Sequence, residues 1–222
     1  IVRDEADFLR QCLMSIRPVC DEIVVVDTGS VDDTVAVAHS FGAVVAHRPW
    51  DDDFAAARNR ALDLATGEWI LYIDADEQLE DLDPERARAE LRAATDAVSL
   101  LVRFRSRPIF SPYREYRLWR NRPDIRFVGR IHETMVPDID RVADADDLAV
   151  RDGDEFAIVH WGYEGDQTRK HLRNLPLLER RVVELPDRVY LWHHLGSVRD
   201  ALGDAAGAEA AWREGVAIVR RL

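Results

Sequence analysis

The sequence predicts an α/β fold, a mostly parallel sheet with flanking helices, followed by a helical hairpin. Three observations carry that expectation. Strand and helix signals alternate from Ile1 to Ala94, as in repeated β-α units that lay parallel strands between helices. Two short apolar runs, Ile23-Val24-Val25-Val26 and Trp69-Ile70-Leu71-Tyr72-Ile73, are each followed by an acid. Uninterrupted runs of this kind read as strands covered on both faces. From Asp166 onward the apolar spacing is helical.

Taken in order, Ile1-Val2 reads as the end of a first strand, so the natural chain is expected to begin further upstream. Phe8, Leu9, Leu13 and Ile16 fall at helical spacing, and Pro18 closes that helix. Ile23 to Asp27 is the next strand. Ser30, with Asp33 behind it, reads as the N-cap of a helix that ends at Gly42. Ala43 to Ala46 is a strand, Phe54 to Ala65 a helix and Trp69 to Asp74 a strand. Asp83-Pro84 opens a further helix, because proline is tolerated at the first helical position. Beyond it, Val98–Phe104, Tyr113–Trp119, Arg126–Met135 and Glu155–Trp161 read as strands. The first two form a hairpin through Pro108 to Pro112. Asp138 to Asp154 is acidic, poor in large apolar residues, and reads as loop. The expected division is a main domain over 1–164 and a helical extension over 165–222.

Composition narrows the function. The 222 residues carry a net charge of −12, which argues against nucleic-acid binding, since that needs a basic face. Cys12 and Cys20 make no disulfide framework and predict a reducing compartment. No apolar run approaches the ~20 residues of a membrane span. These features predict a cytoplasmic protein, with peripheral attachment to a membrane left open.

Ligands of open α/β sheets bind outside the carboxyl ends of the strands, and Asp27 and Asp74 stand at such ends. A carboxylate at Asp27, before the Thr28-Gly29-Ser30 turn, suits a base edge or a ribose hydroxyl. Asp74 and Asp76 are two carboxylates separated by a small residue. Mg2+ and Mn2+ prefer oxygen ligands and commonly take one or two carboxylates plus substrate phosphates. The pattern alone is weak. Asp51-Asp52-Asp53, Asp144-Ala145-Asp146 and Asp152-Gly153-Asp154 share it. Only Asp74-Ala75-Asp76 directly follows a strongly apolar strand.

Further motifs join these acids in a fixed order. They are Ile1-Val2-Arg3-Asp4-Glu5, IVVVDTGS from Ile23, WDDDFAAARN from Trp50 and WILYIDADE from Trp69. Arg117-Leu118-Trp119-Arg120-Asn121, Gly129-Arg130-Ile131-His132-Glu133 and His160-Trp161-Gly162-Tyr163 continue the series. Together they resemble family 2 glycosyltransferases of the GT-A fold. Trp192, Leu195, Gly196, Gly203, Ala208 and Trp212 match most of one tetratricopeptide repeat. The whole looks like the bacterial subgroup that appends such repeats. A generic helical hairpin stays open beside that reading.

The resemblance implies an enzyme that moves a sugar from a nucleotide-sugar donor, usually a UDP-sugar, to a hydroxyl acceptor whose nature stays open. It implies Mg2+ or Mn2+ as cofactor and inversion by direct displacement. Asp27 would contact the nucleobase, and Glu5 would line that pocket. Arg58 would lie near the diphosphate or buttress the acids. Asp74 would face the ribose or reach the metal through water, Asp76 would bind the cation directly, and His160 would add a metal or diphosphate contact. Glu133 is the first candidate for the acceptor base, with Glu77 and His132 as alternatives. Bland alternatives stand beside these roles: a surface ion pair for Arg58, a core position for His160, a Glu133–Arg130 pair, and a solvated face for Arg117, Arg120 and Arg122. A sugar nucleotidyltransferase, or an inactive scaffold contacting proteins through its helical tail, is the competing reading of the whole.

Overall fold

A computed structural model describes residues 1–106, 113–161 and 167–221. The chain divides into two compact units, Ile1–Val128 with Glu133–Tyr163, and Gly129–His132 with Glu164–Leu222. The division expected between 164 and 165 falls outside the described residues, as do the 108–112 connection and Gly162-Tyr163.

The first unit opens with α1 (Ala6–Ile16), which turns Leu9, Cys12, Leu13 and Ile16 inward, the i, i+3, i+4, i+7 stripe its sequence spells. Then come β1 (Val24–Asp27), α2 (Thr34–Ser40), β2 (Val44–His47), α3 (Phe54–Leu64) and β3 (Trp69–Leu71). A short β4 (Glu77–Leu79) precedes α4 (Pro84–Ala93), β5 (Ala97–Ser106), β6 (Tyr113–Arg120), α5 (Val136–Asp146) and β7 (Ala149–His160). β1 and β2 pair in parallel, and Val2 bridges Asp27 in the same sense. The remaining strands form a five-stranded sheet in the order β3-β6-β5-β7-β4. In it β5 and β7 are parallel, and the other three pairs are antiparallel. The expected mostly parallel sheet is therefore mixed, with parallel pairing in β1–β2 and β5–β7 and antiparallel pairing in the other three pairs. The short β5–β6 link has no room for a crossover, so that pair must be antiparallel.

Several local expectations give way. Arg126–Met135 is not a strand. Gly129 and His132 take φ +103° and +50°, and only the Val128–Thr134 bridge remains of any ladder. Asp138–Asp154 is not a loop. Its apolar residues are few but correctly spaced: Ile139 and Val142 are buried by α5, and the rest opens β7. Ser30 caps no helix; Asp32 accepts from the Thr34 N–H at 2.9 Å, and α2 starts there. β3 is only half-buried despite its apolar run. A cavity of about 720 Å3 lies between β1 and β3, walled by Leu13, Val25, Ile70 and Phe156 together with charged residues such as Glu22 and Arg58.

The second unit holds α6 (Thr168–Glu184), α7 (Val189–Ala201) and α8 (Ala205–Val219). Gly196 is required by packing, since a Cβ there would sit 2.2 Å from Trp212 Nε1. Gly203, at φ +84°, makes the turn between α7 and α8. Among the described residues no helix is long and apolar enough to cross a membrane.

Candidate active site

The site is built on the carboxyl ends of β1 and β3. α3 is held in place by Asp53, whose side chain accepts from the Ala56 N–H at 2.9 Å. Its inward face is Ala55, Ala57, Arg58 and Leu62. The small alanines let the helix approach closely, so Arg58 enters the interior. There its Nη1 donates to Asp74 Oδ1 at 2.9 Å, and its Nε donates to Glu133 Oε1. The guanidinium lies 4.3 Å from the centre of the Tyr72 ring, within cation–π range. Tyr72 OH donates to the second Asp74 oxygen at 3.1 Å. Arg58 is thus no surface pair, and Glu133 pairs with Arg58 rather than Arg130.

Asp76 stands on the other side of the turn. Its Oδ2 lies 3.1 Å from His160 Nε2. Its carbonyl accepts from the Trp161 N–H at 2.9 Å, and the β4–β7 register sets Glu77 opposite His160. His160 is buried, but it faces a carboxylate rather than the apolar core alone.

Beneath the turn lies a pair that the sequence did not single out. Glu77, 2% exposed, is held by Arg117, whose Nη1 and Nη2 donate to its two oxygens at 3.0 and 2.8 Å. Arg117 Nε donates to Glu115 at 2.7 Å. Arg117 is buried, unlike the solvated residue its sequence suggested. Both Glu77 oxygens are thus committed to Arg117.

These charges set the ionisation. Burial pushes Asp74 up, but the Arg58 and Arg117 guanidiniums outweigh it and hold the carboxyl well below the usual range. Burial pushes Glu77 up to about 7, with Arg117 opposing. Asp27, at the end of β1, is also pushed up by burial. Hydrogen bonds from Ser30 and Gly29, with His47 alongside, bring it below its ordinary value. Next to it the Asp4 and Glu5 backbones are tied to Ser30 and Thr34 by N–H donations of 3.0 and 2.8 Å. The site residues therefore fall into two groups, Arg58-Asp74-Glu133 with Asp76-His160, and Asp27 with Glu5 and His47. His132 lies in the second unit against Tyr190, whose hydroxyl is 3.0 Å from its Nδ1.

Among the described residues no three His, Cys, Asp or Glu side chains converge as a metal cage. The donor set still fits Mg2+ or Mn2+ delivered with a substrate. Asp76 and His160 are two adjacent donors, and these ions commonly complete their shell with phosphate oxygens and water.

The chain is similar to several known proteins. A TPR repeat-containing protein of Synechococcus elongatus is 37% identical over 97% of this chain and 55% of its own length. The SPbeta prophage-derived glycosyltransferase SunS of Bacillus subtilis is 32% identical over 60% of this chain and 33% of its own. The chain thus spans about half or less of the curated relatives it matches. Among solved structures, S. aureus TarS 1-349 in complex with UDP-GlcNAc superposes with TM-score 0.59 at 15% identity, covering 90% of this chain and 70% of that one. The mannosyltransferase PcManGT from Pyrobaculum calidifontis, in complex with GDP-Man and Mn2+, gives TM-score 0.54 at 18% identity, covering 99% and 76%. These two establish the GT-A fold. Residues 1–143 match the family model described as Glycosyl transferase family 2, and the chain belongs to that family.

Proposed function

We propose that this chain transfers a sugar from a nucleoside-diphosphate donor, a UDP-sugar, to a hydroxyl acceptor, with Mg2+ or Mn2+ and with inversion. One observation carries the reading: the charge inventory around the Asp74-Ala75-Asp76 turn. Among the described residues, Asp74, Asp76, Glu77, Glu115 and Glu133 are met by two guanidiniums, Arg58 and Arg117. A diphosphate entering such a group needs added positive charge. When bound, a divalent cation supplies it and stabilises the charge that grows on the leaving diphosphate.

The chain's own residues do the rest. Asp76 and His160 hold the cation against the diphosphate. Arg58 fixes Asp74, which faces the ribose. Asp27, kept ionised by its turn, takes the nucleobase edge, with Glu5 lining the pocket. Glu133 accepts the proton of the acceptor hydroxyl as its oxygen bonds to the sugar C1 and the C1–O bond to the diphosphate breaks. Its pairing with Arg58 keeps it in the same network as Asp74. Fold relatives captured with UDP-GlcNAc and with GDP-Man and Mn2+ support the donor class and the cation. Membership of the Glycosyl transferase family 2 supports this reading over the nucleotidyltransferase one. The proposed assignment keeps transfer in 1–164. The 165–222 extension serves as a tetratricopeptide-like platform for protein contacts in a cytoplasmic enzyme.

Calorimetry with UDP tests the central claim. Mn2+ is expected to tighten UDP binding to the wild-type chain. Equal affinity with and without the ion, at saturating Mn2+, overturns the reading.

A further inference from the structure

The acid turn holds three carboxylates within four residues, Asp74, Asp76 and Glu77, yet only one of them is free of a guanidinium partner in the described contacts. Arg58 takes Asp74. Arg117 takes both oxygens of Glu77 and lies 4.0 Å from the second oxygen of Asp74. Asp76 faces His160 instead. We infer that Arg117 is a positioning residue that, through Glu77, sorts the acids of this turn and leaves Asp76 as the one presented to a metal–diphosphate. This rests on the proposed function above.

The geometry for such a role is complete. Glu77 closes the turn twice. Its Oε2 accepts from the Asp74 N–H at 2.8 Å, and its own N–H donates to the Asp74 carbonyl at 3.1 Å. The same Oε2 accepts from Arg117, so the rotamer that closes the turn is the one Arg117 fixes. Arg117 is itself immobilised. Its Nε is spent on Glu115, and its guanidinium lies 4.4 Å from the Tyr72 ring centre and 5.0 Å from that of Phe104. Tyr72 then carries the order forward: its ring has Arg58 and Arg117 both within 4.5 Å, and its hydroxyl holds Asp74. Its backbone N–H donates to the Arg117 carbonyl at 2.8 Å, which ties the acid turn to β6.

A purely structural role explains this arrangement poorly. A buried ion pair is commonly no more stabilising than well-packed apolar residues of the same volume. Without a cation beneath them, three adjacent carboxylates would repel one another and splay, or take up protons. A guanidinium is suited to the task because it is planar, always charged and bidentate, where lysine is a point charge.

The test is a pair of variants read by Mn2+ binding. Arg117→Lys keeps the charge and loses the fork. Glu77→Leu/Arg117→Met replaces the ion pair by apolar residues and keeps the fold intact if the single variant fails to fold. Each is measured for UDP affinity with and without Mn2+, for Mn2+ occupancy by electron paramagnetic resonance, and for thermal stability. Folded variants are expected to bind UDP alone as the wild type does and to lose about 10- to 100-fold in Mn2+ affinity, the range for residues that orient metal ligands. A folded variant with wild-type Mn2+ binding overturns the inference and leaves the proposed function standing. A wild-type chain whose UDP binding ignores Mn2+ removes the parent reading instead.

Discussion

Asp74-Ala75-Asp76 and Asp144-Ala145-Asp146 are the same tripeptide in one chain, and they fold into opposite environments. The first follows a strand into a turn whose acids meet Arg58, His160 and, through Glu77, Arg117. The second ends α5 in solvent. There Asp146 pairs with Arg122 at 2.6 Å, with both side chains at least a third exposed. The comparison shows that acid spacing makes no site. What differs is the set of buried counter-charges, and the aromatic rings that hold them, behind one triplet and not the other.

The largest expected contrast is in activity. Asp76→Ala should lower sugar transfer, or UDP release from the donor, by at least about 100-fold, the loss typical of removing one group that stabilises developing charge. Asp144→Ala should leave it unchanged. Similar losses from both would mean that the second triplet takes part. Next comes stability. Arg58→Met leaves half-buried Asp74 and Glu133 without their shared partner. Breaking a fully buried pair costs about 3–5 kcal/mol, and urea melts should show a loss that approaches the lower end of that range, because Asp74 is 30% exposed and keeps Tyr72. The matching change at the surface, Arg122→Met, should cost about 1 kcal/mol or less.

A third test moves the contrast from acids to histidines. His160 faces a carboxylate, whereas His132 has His194 and Arg181 as neighbours. Burial first, then those two groups, push His132 down to about 4 from an ordinary 6.5. Between those values the unfolded chain holds a proton that the folded one does not. Folding stability should therefore fall as pH drops from 6.5 toward 4, and be fully present above. His132→Asn removes the proton site and keeps a residue that tolerates the φ of +50°. Thermal melts across pH 4–7 should show a shallower slope in the variant. An unchanged slope would assign the effect elsewhere, with His194, also lowered by burial, the first alternative.

The sequence carried much of this and stopped at definable points. β1, α1, α3 and α4 were legible because apolar spacing and capping residues agree there, as with Asp53 and Asp83. Asp27, Arg58, Asp74, Asp76, Glu133 and His160 were singled out from ordered motifs. Their partnerships were not, because Arg58–Glu133 spans 75 residues and Arg117–Glu77 spans 40. α5 was lost to its acidic surface, which hid the buried Ile139 and Val142. Within Arg126–Met135 the apolar Phe127, Ile131 and Met135 are indeed buried, but they are carried by turns at Gly129 and His132, which no local periodicity in the sequence reveals.

The smallest effect should have the opposite sign. Asp144 lies in the last turn of α5, which has no basic residue there, and the negative end of a helix macrodipole repels a carboxylate. Asp144→Ala removes that repulsion and also introduces the best helix former. Stability should rise by about 0.3–1 kcal/mol, read as a higher urea midpoint with an unchanged slope, while UDP and Mn2+ binding stay as in the wild type. Asp74 has no such margin, because its charge is met by Arg58 and Arg117, and its removal takes from buried Arg58 one of its two carboxylate partners. A destabilised Asp144→Ala would show that the acid at the end of α5 has a stabilising partner in solution, and the two triplets would then differ in degree rather than in kind.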